Sequence, residues 1–212
     1  MNPTAPKLIV GAVMFEGFEL LDFYGPLQMF GLNKDKVEVV TLGLRAGEVA
    51  SNHGKAGSRG MIDRTLADAP AIDVLLIPGG FGTRKEVDNP ALIDAIRTAA
   101  ERATFVTTVC TGSALLARTG LLDGKRATSN KQAFKWVVTQ GPKVIWVPEA
   151  RWVEDGKFFT ASGVSAGLDM TLALIAKLFG RERALLNAKG CEYEWHEDPT
   201  WDPFARFAGL VP

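Results

Sequence analysis

The sequence predicts an α/β fold with a mostly parallel central sheet covered by helices on both faces. Three observations carry that expectation. Strand-like apolar runs alternate with helix-length segments along most of the chain. Several of those runs are uniformly apolar, as strands buried on both faces are. At Cys110 a strand-like run turns directly into a helix-like run, which makes a strand–cysteine–helix elbow.

The elements follow in order. Lys7 to Phe15 is a continuous β-rich run. Glu19 to Phe30 reads as a helix, with Gly25-Pro26 expected to bend or restart it. Val37 to Leu44 is the next strand. Asp73 to Ile77 is another, ending in Pro78-Gly79-Gly80. Pro90 to Ala103 is a helix, because Asn89 can cap it, Pro90 suits its first position, and Leu92, Ile93, Ile96 and Ala100 share a face. Thr104-Phe105-Val106 is the strand before the elbow, and Ser113 to Ala117 begins the helix after it. Lys131 to Gln140 is helical and Val144 to Val147 a strand. Arg151 to Glu154 and Lys157 to Ala161 flank Asp155-Gly156 as a hairpin. Leu168, Leu172, Ile175 and Phe179 place a 4-3-4 stripe on a long helix. A last helix runs from Arg181 to about Tyr193. Residues 195–212 form an aromatic tail without periodicity, carrying Trp195, Trp201, Phe204 and Phe207. That tail is expected to cover a pocket mouth or a dimer mate, or to pack on its own core.

Composition narrows the function classes. A chain of 212 residues with 47% hydrophobic content suits one well-buried domain over residues 1–212. Lys and Arg total 24, as do Asp and Glu, so there is no basic footprint for nucleic acid or a membrane surface. Two cysteines, Cys110 and Cys191, do not make a disulfide scaffold. The run Leu8 to Phe15 is too short for a signal peptide and lacks a cleavage site. Leu168 to Phe179 is too short to span a bilayer. A cytoplasmic location is the expectation.

Cys110 carries the chemistry. At a strand-to-helix turn its sulfur meets unpaired backbone N–H groups and a helix dipole, which favour thiolate. The bland alternative is a buried cysteine acting as a small hydrophobe. Asp22, just past the first strand, is either a helix cap or an acid–base group. Gly79 and Gly80 are either a plain turn or backbone donors brought close to a reacting atom. Gly80-Phe81-Gly82 lacks the third glycine of a dinucleotide fingerprint, and Gly124-Lys125-Arg126 is not a phosphate loop. No cofactor is implied. His53 and His196 stand in no metal-ligand spacing with the cysteines, so no metal is expected. A distant Cys110–His196 pair stays open.

Five motifs in order resemble the ThiJ/PfpI superfamily, the class I glutamine-amidotransferase-like fold. They are Leu21-Asp22-x-x-Gly25-Pro26, Ile77-Pro78-Gly79-Gly80, Val109-Cys110-Thr111-Gly112-Ser113, the stretch Gly120 to Thr128, and Ser162-Gly163-x-x-Ala166-Gly167-x-Asp169. The resemblance covers Lys7 to about Phe204 and implies a flavodoxin-like three-layer sandwich. The branch it is most similar to is that of the isonitrile hydratases. It implies that Cys110 is the nucleophile and Asp22 its acidic neighbour. It also implies a small-molecule substrate, a homodimer, and oxyanion or substrate-binding roles for Gly79, Gly80, Thr111, Asn130, Ser162 and Gly163. Two positions depart from the pattern. Thr111 stands where peptidase-like members carry histidine, and Asn130 stands where many members of the nearer branch do.

The activity this implies is hydration of an isonitrile to an N-substituted formamide through a thioimidate on Cys110. Asp22 and Cys110 would then share a proton, because an anionic Asp22 opposes thiolate formation. A glyoxalase-like or deglycase-like lyase, or an amidase, would use the same pair. A ligand or redox sensor is the alternative from another class.

Overall fold

A computed structural model describes residues 6–52 and 54–212; His53 lies outside the described residues. Seven strands form one sheet, in the order Trp152–Asp155, Phe158–Ala161, Phe105–Thr108, Val74–Ile77, Leu8–Val13, Val37–Gly43, Arg64–Thr65. Every pairing is parallel except that of the Trp152–Asp155 and Phe158–Ala161 hairpin. The inner strands are the apolar runs read in the sequence. Val74–Ile77 and Phe158–Ala161 are buried at every position. That is what a sheet covered on both sides requires.

Two helical groups supply the cover. Leu20–Gly31 packs on Ala166–Phe179, which packs on Arg181–Gly190. Gly112–Arg118 packs on Pro90–Arg102 and Phe134–Gln140. Pro90–Arg102 forms as its sequence dictates. Asn89 Oδ1 accepts from Leu92 N at 3.4 Å, and Leu92, Ile93, Ile96 and Ala100 are its buried residues. Phe18, Phe23, Phe30, Met14 and Met29 fill the core beside Leu42, Leu75, Leu76 and Ile77.

Several local expectations shift. Leu20–Gly31 runs on through Pro26 without restarting. Gly25 and Pro26 serve contact rather than interruption: a Cβ on Gly25 would stand 3.3 Å from Leu168 Cγ. Ala166–Phe179 is buried well beyond its 4-3-4 stripe, since Met170 and Leu174 are as buried as Leu172 and Ile175. It lies between the sheet and two helices, so one apolar face is not enough. The hairpin turn is Gly156-Lys157, with Asp155 paired to Phe158. Ile145–Trp146 pairs with Arg126–Ala127 outside the main sheet. Gly47–Ala50 and Arg59–Ile62 make a further hairpin that the sequence pattern does not announce. No helix among the described residues is long and apolar enough to cross a membrane.

A buried polar knot ties the tail down. Asp169 Oδ2 accepts from Arg151 Nε at 2.7 Å, and Asp169 Oδ1 accepts from Tyr193 Oη at 2.9 Å and from His196 N at 3.0 Å. Trp195 Nε1 donates to the Asp169 carbonyl. Asp202 N and Arg151 N extend the attachment by donating to Glu149 O and Pro199 O. The tail is therefore held mostly by polar contacts. Its aromatics divide: Trp195 packs on the core, while Trp201, Phe204 and Phe207 are exposed.

Asp169→Ala leaves buried Arg151 with a 3.4 Å hydrogen bond to Ser165 Oγ and, as its remaining ion pair among the described residues, the longer Asp202 contact at 3.9 Å. An orphaned buried charge costs roughly 3–5 kcal/mol. Thermal denaturation should show a loss of that size, with faster proteolysis beyond Gly190. A melting curve equal to the parent's would mean that the knot contributes nothing.

Candidate active site

Parallel register brings the site together. Ile77 pairs with Thr108, so the Gly79-Gly80 turn and Cys110 leave the sheet side by side at the carboxyl ends of their strands. Such edges are where open α/β sheets bind ligands. Glu19 N donates to Gly79 O at 2.9 Å, which fixes the start of the Leu20–Gly31 helix on the same turn. Asp22, in the first turn of that helix, is thereby pushed inward and fully buried.

Cys110 has φ +58°, the left-handed region that costs a non-glycine residue roughly 1–3 kcal/mol. Its neighbours over-determine that geometry. Cys110 N donates to Ser162 O at 2.8 Å. Its carbonyl accepts from Ser113 Oγ at 3.1 Å and Ser129 Oγ at 2.9 Å. The strain turns the sulfur out of the sheet toward Asp22 and the cleft.

Gly79 N donates to Asp22 Oδ2 at 2.9 Å. Asp22 Oδ1 is buried with no hydrogen-bond partner among the described residues. The Cys110 thiol and the Val164 amide nonetheless stand near enough to bias the carboxyl's titration. Burial pushes Asp22 up from its ordinary 3.8 to about 7. The Gly79 N–H pulls against that shift, and the Glu19 charge adds to it. Burial also pushes the Cys110 thiol well above its usual range, and the Asp22 charge adds to the effect. The Thr111 and Val164 amides oppose the rise without reversing it.

Burial therefore opposes the thiolate that the elbow pattern favours. The helix after Cys110 spans only Gly112–Arg118, and the cysteine is 7% exposed. Desolvation outweighs the amides of one short helix. Burial thus raises both groups, the carboxyl to about 7 and the thiol well above its usual range.

The other candidate residues separate into distinct roles. The Gly79 amide serves Asp22. Gly80 N donates to Thr111 Oγ1 at 3.1 Å, so neither glycine offers a free oxyanion donor. A Cβ on Gly79 would meet Thr111 N at 2.5 Å and Asp22 Oδ2 at 2.8 Å, so only glycine fits. The Thr111 hydroxyl also receives Thr83 Oγ1 at 3.0 Å and clamps the turn, while its amide faces the sulfur. Ser162 acts through its carbonyl on Cys110 N. Asn130 lines the cleft, and its Oδ1 accepts from Ala133 N at 2.9 Å. Gly163 leaves room for the Asn130 amide, 2.5 Å from where a Cβ would stand. His196 is exposed and donates its backbone amide to Asp169, so it is not placed at Cys110. Among the described residues no cluster of three or more His, Cys, Asp or Glu side chains could hold a metal ion.

A cleft of about 370 Å³ opens over the sulfur, lined in part by Glu19, Asn52, Phe81, Arg84, Asn130 and Val164. An adjoining hollow shares Asn130 and Val164 and is edged by Phe204 of the tail. Val164, Ser129, Glu19 and Arg84 are site residues that the sequence reading did not single out. Val164 has φ +47°, and no side-chain pattern signals a left-handed valine.

The chain belongs to the DJ-1/PfpI family, whose model matches residues 9–177. It is 33% identical over 186 residues to an isonitrile hydratase from Pseudomonas putida, which covers 88% of this chain and 78% of that protein. A ThiJ/PfpI family protein from Pseudomonas syringae superposes with TM-score 0.82 at 28% identity, over 92% of this chain and 78% of the other. The transcriptional regulator CdhR of Pseudomonas aeruginosa is 28% identical over 177 residues, which are 82% of this chain and 51% of the regulator.

Burial of Asp22 has a stability signature. Below about pH 4 both folded and unfolded states hold its proton, and burial carries no ionic cost. Between there and about pH 7 the unfolded state releases the proton while the folded state keeps it, so stability falls as pH rises. Above about pH 7 the full cost is present. Asp22→Asn should therefore be more stable than the parent at pH 8, by on the order of 1–3 kcal/mol, with the gap closing toward pH 4. Melting curves across that range check this. A variant less stable at pH 8 than the parent would mean that Asp22 is a helix-fixing group rather than a buried acid.

Proposed function

We propose that this protein hydrates a small isonitrile to an N-substituted formamide. The observation that carries the reading is the Cys110–Asp22 pair: a strained, outward-turned thiol against a buried carboxyl group poised near neutral pH. Similarity to an isonitrile hydratase over most of both chains supports it.

The residues divide the work as follows. Cys110 sulfur attacks the terminal isonitrile carbon as the Asp22 carboxylate takes the thiol proton. Asp22 returns that proton to the same carbon, giving a thioimidate, R–N=CH–S–Cys110. Water then adds to that carbon as Asp22 takes one of its protons and passes it to the nitrogen, giving R–NH–CH(OH)–S–Cys110, whose hydroxyl proton returns to sulfur through Asp22 on collapse. Collapse of the adduct breaks the carbon–sulfur bond and restores the thiol. The sum is one isonitrile plus one water to one formamide, with no oxidant or reductant. A base near pKa 7 suits both proton transfers, because it exists in both forms at working pH. The Thr111 and Val164 amides stand beside the sulfur and stabilise charge as it develops there.

The raised thiol speaks against a redox sensor, which needs an exposed, low-pKa sulfur. A lyase acting on a 2-oxoaldehyde would use the same pair, and the product separates the two readings. The purified protein should yield formamide from an isonitrile and no hydroxy acid from a 2-oxoaldehyde. Cys110→Ser should abolish turnover, and Asp22→Asn should lower kcat by ~10²–10⁴-fold. Hydroxy acid without formamide would replace this reading with the lyase, and Asp22→Asn at parental rates would remove Asp22 from it.

The reading includes a homodimer. Exposed Trp201, Phe204 and Phe207 are the apolar surface that supports it. A Phe204→Ser, Phe207→Ser double variant should halve the mass in light scattering. Unchanged dimer mass would locate the interface elsewhere, and a monomeric parent would remove it.

A further inference from the structure

We infer that Arg84 is a carboxylate-docking residue, and that the substrate carries a carboxylate beside its reactive carbon. The inference deepens the hydratase reading and rests on it only for the identity of the reactive group. Arg84 lines the cleft over Cys110, and its guanidinium lies within electrostatic reach of the sulfur. It is the only cationic side chain among the described residues lining that cleft.

Arg84 makes no ion pair among the described residues, and its one hydrogen bond, 3.2 Å long, goes to the neutral Thr83 hydroxyl. Its position comes from aromatic faces instead. The guanidinium carbon lies 4.2 Å from the Trp136 ring centroid and 5.8 Å from that of Phe81. Stacking fixes the guanidinium without consuming its N–H groups, most of which stay free. A fixed, unpaired fork at a cleft mouth matches a carboxylate in two-point contact.

The other charged group of the cleft is already engaged. Glu19 accepts from the Asn52 side-chain amide, and Asn52 Oδ1 accepts from Phe81 N at 2.6 Å. Glu19 also acts on Asp22, raising its pKa. Its carboxylate therefore belongs to the wall and the proton pair, while Arg84 is left for the ligand. Sulfur and guanidinium line one cleft of about 370 Å³, so a small isonitrile that carries a carboxylate, such as isocyanoacetate, is the chemical class that fits.

Two alkylating agents of nearly equal shape test this without any turnover. Iodoacetate and iodoacetamide both form a carbon–sulfur bond, expel iodide and release the thiol proton; only the first is an anion. Cys191, half-buried and not among the residues lining the cleft of Arg84, is the internal reference. Peptide mapping at pH 8.5 should give an iodoacetate-to-iodoacetamide rate ratio at least about tenfold higher at Cys110 than at Cys191. Arg84→Met keeps an apolar stem for Trp136 and should collapse that difference, whereas Arg84→Lys should keep part of it. Loss of thiolate character would slow both reagents alike, so the ratio isolates docking. Equal ratios at the two thiols in the parent, or a ratio unmoved by Arg84→Met, would overturn the proposal. If neither reagent labels Cys110, calorimetric titration of isocyanoacetate into Cys110→Ala decides. Binding that Arg84→Met weakens by about tenfold upholds the docking role, and equal affinity or no heat in either protein overturns it. Failure to hydrate any isonitrile, with the ratio intact, would sink the hydratase reading and leave the carboxylate site standing.

Discussion

The left-handed backbone at Cys110 is the constraint on which the site depends. A cysteine at φ +58° persists only where its amide and carbonyl are both held. Ser162 O holds the first, and the Ser113 and Ser129 hydroxyls hold the second. Ser113 is local, in the first turn of the following helix, whereas Ser162 and Ser129 lie farther along the chain and are brought in through the sheet. Phe158–Ala161 pairs with the cysteine strand through Thr160 and Thr108, which delivers Ser162 to the elbow. Thr128 N donates to Thr160 Oγ1 at 2.9 Å, which sets the segment carrying Ser129 on the same strand. The fold thus spends its long-range order on one residue's conformation.

The electrostatics follow from that placement. Turning the sulfur into a mostly buried corner beside a buried carboxyl group makes two anions there prohibitively costly. One proton is kept near neutrality, and the Gly79 amide decides much of how firmly Asp22 holds its own. The result is a carboxyl group that ionises near neutral pH. It is bought by desolvation rather than by a neighbouring histidine, which neither Thr111 nor Asn130 replaces. Thr111 has instead become structural, clamping the Gly79-Gly80 turn through its hydroxyl.

Much of this was legible in the sequence, for physical reasons. Uniform apolar runs such as Val74–Ile77 admit few readings, and Asn89-Pro90 announces a helix start by capping chemistry. Cys110 stands out because it follows a buried strand, whereas Asp22 is marked as its acidic neighbour only by the family resemblance. What stayed hidden depends on non-local geometry. The Gly47–Ala50 and Arg59–Ile62 hairpin is short, mixed in composition and defined only by its pairing. The sign of the thiol's shift depends on burial, which the elbow pattern does not encode. Val164 reaches the sulfur through a backbone amide in a left-handed conformation, so its side chain carries no signal. Arg84 matters because Trp136, fifty-two residues away, lies under it.

Infrared difference spectroscopy across pH 5 to 9 tests the central claim, that Cys110 rests as a thiol beside an Asp22 that ionises near neutrality. Cys110→Ser and Asp22→Asn assign the S–H and protonated-carboxyl bands. The account predicts that the carboxyl band disappears through about pH 7 while the S–H band persists at pH 8. A carboxyl band that survives to pH 8 with no S–H band would show a standing thiolate and a protonated acid, and would contradict it.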